Sequence, residues 1–248
     1  MRALPTLAAA LALGGCAVVD DTSADRFAET GELIALSGAG AGAQNACFTC
    51  HGIDGQGDGI GAPRLAGLDA GYLERQLVAY ADGRRQHPQM AWIAERLGHS
   101  ERAAVSTYYA LLPREIDGVQ QAAPLALYHA GDPARGLPAC AECHGDQGEG
   151  TGAGNPPLAG QPAAYLAHQL EQWRAAKRRN DPGEVMLRIS QVLTPSESAA
   201  LSAYAAGLEG APADPRSPAA SLSARRGDPR SGVSALPLHV PERARTTR

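Results

Sequence analysis

Four of the five cysteines in this 248-residue chain stand in two copies of one pattern, Cys47-Phe48-Thr49-Cys50-His51 and Cys140-Ala141-Glu142-Cys143-His144. Positions three apart lie on one side of a helix, so each pair of thiols can reach two substituents on the edge of one flat ligand. With His directly following, this is the arrangement for thioether bonds to the two vinyl groups of a haem. Cys47, Cys50, Cys140 and Cys143 would make the covalent attachments, and His51 and His144 would sit below the two irons. A single such motif could instead hold zinc through its Cys pair. Two copies at matching places in an internal repeat favour haem, because zinc would leave the rest of each repeat without a purpose.

An electron-transfer haem generally takes a second axial ligand, and the chain has three methionines, one of them Met1. The other two, Met90 and Met186, fall one to each half at related positions. A lone Met is more often core filler, but a pair related by the repeat is expected to be the second ligand of each iron. Thioether sulfur raises the reduction potential relative to a second imidazole. His87 and His99 lie near Met90 but have no His counterpart in the second half, and His129, His168 and His239 read as surface or tail residues.

The repeat that carries these residues is extensive. With Cys47 set against Cys140, Pro63, Leu65, Ala66 and Gly67 meet Pro156, Leu158, Ala159 and Gly160, while Tyr72, Leu73, Gln76 and Leu77 meet Tyr165, Leu166, Gln169 and Leu170. A three-residue slip follows at Asn180-Asp181-Pro182-Gly183, which is turn chemistry. Beyond it Met90, Ile93, Leu97, Glu101 and Tyr108 match Met186, Ile189, Leu193, Glu197 and Tyr204.

The elements needed to position these groups are helices. No alternating strand pattern stands out, and each half reads as short helices between Gly- and Pro-rich loops, giving an all-α fold. Tyr72 to Tyr80 and its counterpart ending at Trp173 have helical apolar spacing. Arg84-Arg85 and Lys177-Arg178-Arg179 follow as cations suited to a helix C-terminus. Thr194-Pro195-Ser196-Glu197 has a capping Thr, Pro at the first helical position and Glu at the third. Gly98-His99-Ser100-Glu101 keeps only the acid. Tyr108 and Tyr204 are expected to pack the final helices.

Aromatic residues are only 4% of the chain, so each half is short of large side chains for a core, a gap that a large flat cofactor would fill. The net charge of −4 hides an asymmetry, since residues 211–248 hold seven Arg against three acids and the preceding part is correspondingly acidic. Nucleic acid is therefore not an expected partner of the folded region. At the start, Arg2 precedes an apolar run from Ala3 to Leu13, then Gly14, Gly15 and Cys16. This is the form of an export signal, and Leu13-Gly14-Gly15-Cys16 resembles the bacterial lipobox, which predicts lipid on Cys16. Ala17 supplies no Asp-type inner-membrane retention signal, which favours the outer membrane by the same resemblance.

Two CxxCHG modules, a PxLAG or PPLAGQ segment before a Tyr-Leu helix, and a late Met before a final helix together resemble the dihaem cytochrome c4 family. The likeness runs from about Gly31 to Gly210 and is stronger in the second half; the first lacks the Gln that follows Pro157-Leu158-Ala159-Gly160 and has a shorter Met loop. The resemblance implies two tandem class I cytochrome c domains related by a pseudo-twofold axis, two covalently bound haem c groups, and a periplasmic electron carrier serving redox partner proteins such as a haem-copper terminal oxidase. The expected layout is a signal segment at 1–15, a linker at 16–30, a first domain at 31–113, a linker at 114–123, a second domain at 124–210 and a disordered tail at 211–248. With both irons six-coordinate, the protein is expected to be a carrier and not an enzyme. The alternatives are a haem subunit of a larger dehydrogenase or oxidase complex and, less well supported, a dihaem peroxidase.

Overall fold

The computed structural model describes residues 22–114, 116 and 125–210. The expected signal segment, the Cys16 expected to carry lipid, most of the inter-domain linker and the Arg-rich tail lie outside these residues. Among the described residues there is no strand, and the elements are helices and short 3₁₀ turns, as the all-α reading expects.

The first half runs α1 (Thr22–Ser37), α2 (Phe48–His51), α3 (Ala70–Ala81), α4 (Pro88–Glu95) and α5 (His99–Leu111). The second runs α6 (Ala126–Ala130), α7 (Ala141–His144), α8 (Ala163–Arg174), α9 (Val185–Val192) and α10 (Pro195–Ala206). Helix α1 begins inside the segment 16–30 that was expected to be a linker. Gly31 does not end it: a Cβ there would lie 2.7 Å from Tyr108 Cβ, so glycine is what lets α1 cross α5 at close range.

Local chemistry sets the helix starts. The Asp69 carboxylate accepts from Tyr72 N at 2.8 Å and opens α3. Thr194 and Glu197 form the reciprocal cap of α10, with Pro195 in the first turn. At α5 the Glu101 carboxylate accepts from Gly98 N at 2.7 Å, the half of that device that glycine leaves possible.

Each half has its own core. In the first, Ile34 and Ala35 of α1 pack with Val105, Tyr108 and Tyr109 of α5 and with Leu68, Leu73 and Ile93. In the second, Tyr128 of α6 takes the central place among Leu137, Leu193, Leu201 and Ala205. Tyr128 is fully buried, and its hydroxyl donates to Gly145 O directly after the second Cys-x-x-Cys-His.

Candidate functional site

Both Cys-x-x-Cys-His segments fold as one short turn of helix ending in glycine with positive φ, Gly52 at 79° and Gly145 at 82°. Cys50 and Cys143 are exposed, and Cys47 and Cys140 half-buried. His51 Nδ1 lies 2.9 Å from Pro63 O and His144 Nδ1 lies 2.8 Å from Pro156 O. A carbonyl only accepts, so Nδ1 carries the proton in each ring and Nε2 keeps its lone pair. Burial lowers the pKa of both imidazoles, against the opposing effect of these hydrogen bonds. Two neutral imidazoles of fixed tautomer result, the form a metal ion takes up.

One continuous cavity of about 1100 Å³ passes through both halves. His51, Met90, His144, Met186 and all four motif cysteines line it, with Leu65, Leu68 and Ile93 in the first half and Leu158, Leu166 and Ile189 in the second. A large apolar group tied to the thiols fits these walls. Burial pushes the Cys47 and Cys140 thiols up to about 11, which disfavours the thiolate form that a zinc site requires. No group of three or more His, Cys, Asp or Glu among the described residues is arranged to hold a metal ion by itself.

The two methionines are presented differently. Met90 lies in the first turn of α4, and its N–H donates to His87 Nδ1 at 3.3 Å. Met186 lies in the first turn of α9, and its N–H donates to the Asp181 carboxylate at 2.7 Å. The same carboxylate accepts from Trp173 Nε1 at 3.0 Å. The inserted turn before Met186 puts Gly183 and Glu184 in the left-handed region, at φ 67° and 54°. Residues 180–183, expected as the loop that absorbs the register slip, thus also hold the helix that carries Met186.

Of the remaining histidines, His99 is exposed beside Glu74 and away from the cavity. His129 is more than a surface residue, since its Nε2 lies 2.7 Å from the Tyr204 hydroxyl. Tyr108 is buried in the first core, as expected for packing.

The sequence reading missed the residues that join the halves. Arg85 and Arg178 lie beyond the ends of α3 and α8 and are not terminal helix cations; each is only 4% exposed. Their backbones pair in an antiparallel bridge, with Gln86 N to Lys177 O at 2.9 Å and Arg179 N to Arg84 O at 2.7 Å. Arg85 donates to Gln76 Oε1, Tyr165 Oη and Gln169 Oε1 at 2.9, 2.9 and 2.7 Å. Arg178 donates to Gln169 Oε1, Gln76 Oε1 and Tyr72 Oη at 2.9, 3.0 and 3.3 Å. Arg85 stacks on Tyr80 and Arg178 on Trp173. Arg85, Gln76, Tyr72 and Tyr80 have their repeat counterparts Arg178, Gln169, Tyr165 and Trp173 in this network, which Asn180 joins from the second half alone. Burial alone would raise the Tyr165 phenol, yet Arg85 and Arg178 hold it below its ordinary value. Gln161, which has no counterpart in the first half, crosses the boundary: it accepts from Arg64 N at 3.1 Å and donates to Arg64 O at 2.9 Å.

Comparison with known proteins agrees with this geometry. The family profile of cytochrome c matches residues 37–119 and again 131–209. A thiosulfate dehydrogenase electron acceptor from Stutzerimonas stutzeri is 40% identical over 192 residues, covering 73% of this chain and 87% of that protein. A cytochrome c4 from Pseudomonas aeruginosa is 36% identical over 186 residues, covering 72% and 92%. The solved thiosulfate dehydrogenase of Marichromatium purpuratum superposes with a TM-score of 0.64 at 38% identity; the match covers 82% of this chain, which spans about half (49%) of that protein. Matched in both halves by the profile and along nearly the whole length of a cytochrome c4, the chain belongs to the cytochrome c family, as a cytochrome c4-like electron-transfer protein with two covalently bound haem c groups.

Proposed function

We propose that His51 with Met90, and His144 with Met186, are the axial ligand pairs of two redox centres, attached through Cys47 and Cys50 and through Cys140 and Cys143, and that the chain accepts electrons from a thiosulfate-oxidising dehydrogenase. The observation that carries the ligand reading is that one cavity is lined by all eight side chains, with each imidazole fixed by a backbone carbonyl. The bound groups supply one-electron chemistry at iron. The protein's own task is to hold the ligands, exclude water and keep the two sites in one rigid frame. Gln161, Arg85 and Arg178 provide that frame by bonding across the boundary.

The partner reading draws on the acceptor relative and on the dehydrogenase that contains a similar region. An electron carrier to a terminal oxidase is the second reading, favoured by the near-complete coverage of a cytochrome c4. Stopped-flow mixing of the oxidised protein with a thiosulfate dehydrogenase and thiosulfate separates the two. Rapid reduction of both centres is expected; slow reduction by that enzyme, with rapid electron delivery to an oxidase, favours the second. The ligand reading is tested by the near-infrared sulfur-to-iron charge-transfer band, part of which should vanish in each of Met90→Ala and Met186→Ala. A band unchanged by either substitution rejects it.

The apolar run before Cys16 supports export to the periplasm, the lipobox resemblance of Leu13-Gly14-Gly15-Cys16 supports a lipid tether at Cys16, and Ala17 in place of an Asp-type retention signal favours the outer membrane. No helix among the described residues is long and apolar enough to cross a membrane. Mass spectrometry of the mature N-terminal peptide tests the tether, and absence of an acyl increment on Cys16 removes it.

A further inference from the structure

Arg85 and Arg178 are two buried cations side by side, and among the described residues no carboxylate lies in ion-pair contact with either. Their hydrogen-bond partners are neutral oxygens of Gln76, Gln169, Tyr72, Tyr165 and Asn180. Like charges that share the same two glutamine oxygens repel one another, and each has lost its water. Anions placed beside such a pair would offset that cost. Both guanidiniums line the cavity that also holds His51, Met90, His144 and Met186, and a haem brings ionised carboxylates of its own into that space.

The hydrogen bonds are also swapped. Arg85 of the first half reaches Tyr165 and Gln169 of the second, and Arg178 of the second reaches Tyr72 and Gln76 of the first. Neither cation belongs to one site. We propose that Arg85 and Arg178 form one shared cationic element that takes carboxylates of both haems as its counter-ions, so that each arginine raises the electron affinity of both centres. A fixed positive charge near an iron favours the state holding one more electron, and in a water-poor interface that effect is weakly screened. The element therefore links the two potentials to the integrity of the interface between halves.

This inference rests on the two-centre reading above, and the wild-type haem count and charge-transfer band test that reading separately. The test is spectroelectrochemical titration of the full dihaem protein as wild type, Arg85→Gln, Arg178→Gln, Arg85→Lys and Arg178→Lys. Each Gln variant is expected to lower both midpoint potentials, and a tenfold loss of electron affinity at a one-electron centre reads as about 59 mV. Each Lys variant keeps the charge with fewer donors, and its shifts should fall between wild type and Gln at both centres. A shift confined to one centre, no shift at all, or Lys variants displaced as far as the Gln variants would overturn the proposal. If a Gln variant fails to mature with two haems, the Lys variant decides alone: a small downward shift at both centres supports the shared element, and a shift at only one, or at neither, rejects it.

Discussion

The two halves repeat one another at the cysteines, histidines and methionines but solve the packing around them differently. The first uses a pair of long helices, α1 against α5, brought close at Gly31. The second has the five-residue α6 in the described region and relies on one large side chain, Tyr128, which fills the core and ties itself to Gly145 beside the attachment motif. The lesson is that the residues of the redox centres constrain the chain more than the core does.

The strongest way to break this comparison is to remove one attachment site. Replacing both Cys47 and Cys50 by Ala, or both Cys140 and Cys143, should lower the covalent haem count from two to one per chain in a pyridine haemochrome assay. Loss of both groups from either variant would mean that the halves do not mature separately, and the repeat would then be one cooperative unit.

Next in size are the two cores. Tyr128→Ala removes a fully buried aromatic ring and its hydrogen bond, and should cost about 3–5 kcal/mol of second-half stability. Gly31→Ala pushes a methyl group into Ala104 and Tyr108, an overpacking that should cost about 1–3 kcal/mol in the first half. Denaturant unfolding followed by hydrogen exchange in α5 and α10 separates the two. Each variant should weaken the final helix of its own half first; equal loss in both would argue that the interface fuses the cores.

The methionine loops offer a sharper contrast. His87 caps the helix of Met90, whereas the Asp181 carboxylate caps that of Met186. A negative charge beside the second site favours its oxidised state. Asp181→Asn keeps an oxygen acceptor and removes the charge, so it should raise one midpoint potential and leave the other near its wild-type value. A shift of both would place Asp181 with the shared interface and not with its own loop.

Much of this was legible before any coordinates. Cys-x-x-Cys-His states its chemistry in five residues, and Met90 and Met186 stand out because the halves contain no other methionine. Thr194, Pro195 and Glu197 specify the start of α10 by local bonding alone. The missed features depend on what meets what in space. Gly31 reads as a boundary unless α5 is known to pass against it. Arg85 and Arg178 read as helix-end cations because nothing local shows that two loops pair back to back. Yet a signal was present: Tyr72, Gln76 and Arg85 keep register with Tyr165, Gln169 and Arg178, although polar residues of a surface helix have no packing reason to do so. Gln161 carried a converse signal, since a residue confined to one half of a repeat suits a contact made to the other.

The smallest predicted difference concerns acid. Glu197 completes the cap of α10 and also accepts from Arg135 Nη1 and Nη2, at 3.1 and 2.7 Å, tying the turn before the second attachment motif to the final helix. Its counterpart Glu101 caps α5 but has no ion pair among the described residues, because the position equivalent to Arg135 is Gly42. Arg135, followed by the Thr194 hydrogen bonds, lowers the Glu197 carboxyl from 4.5 to about 2. A depressed folded-state pKa contributes stability that is fully present above the ordinary value and is lost as pH falls through the folded one. Between about 4.5 and about 2, α10 should therefore lose hydrogen-exchange protection progressively. Glu197→Gln, which cannot titrate, should start with less protection and show a flatter profile across that window. The group is partly exposed, so the change will be modest and will shrink as salt is added. If wild type and Glu197→Gln decline in parallel, the acid sensitivity of α10 lies elsewhere, and the Arg135 pair would not distinguish the second half from the first.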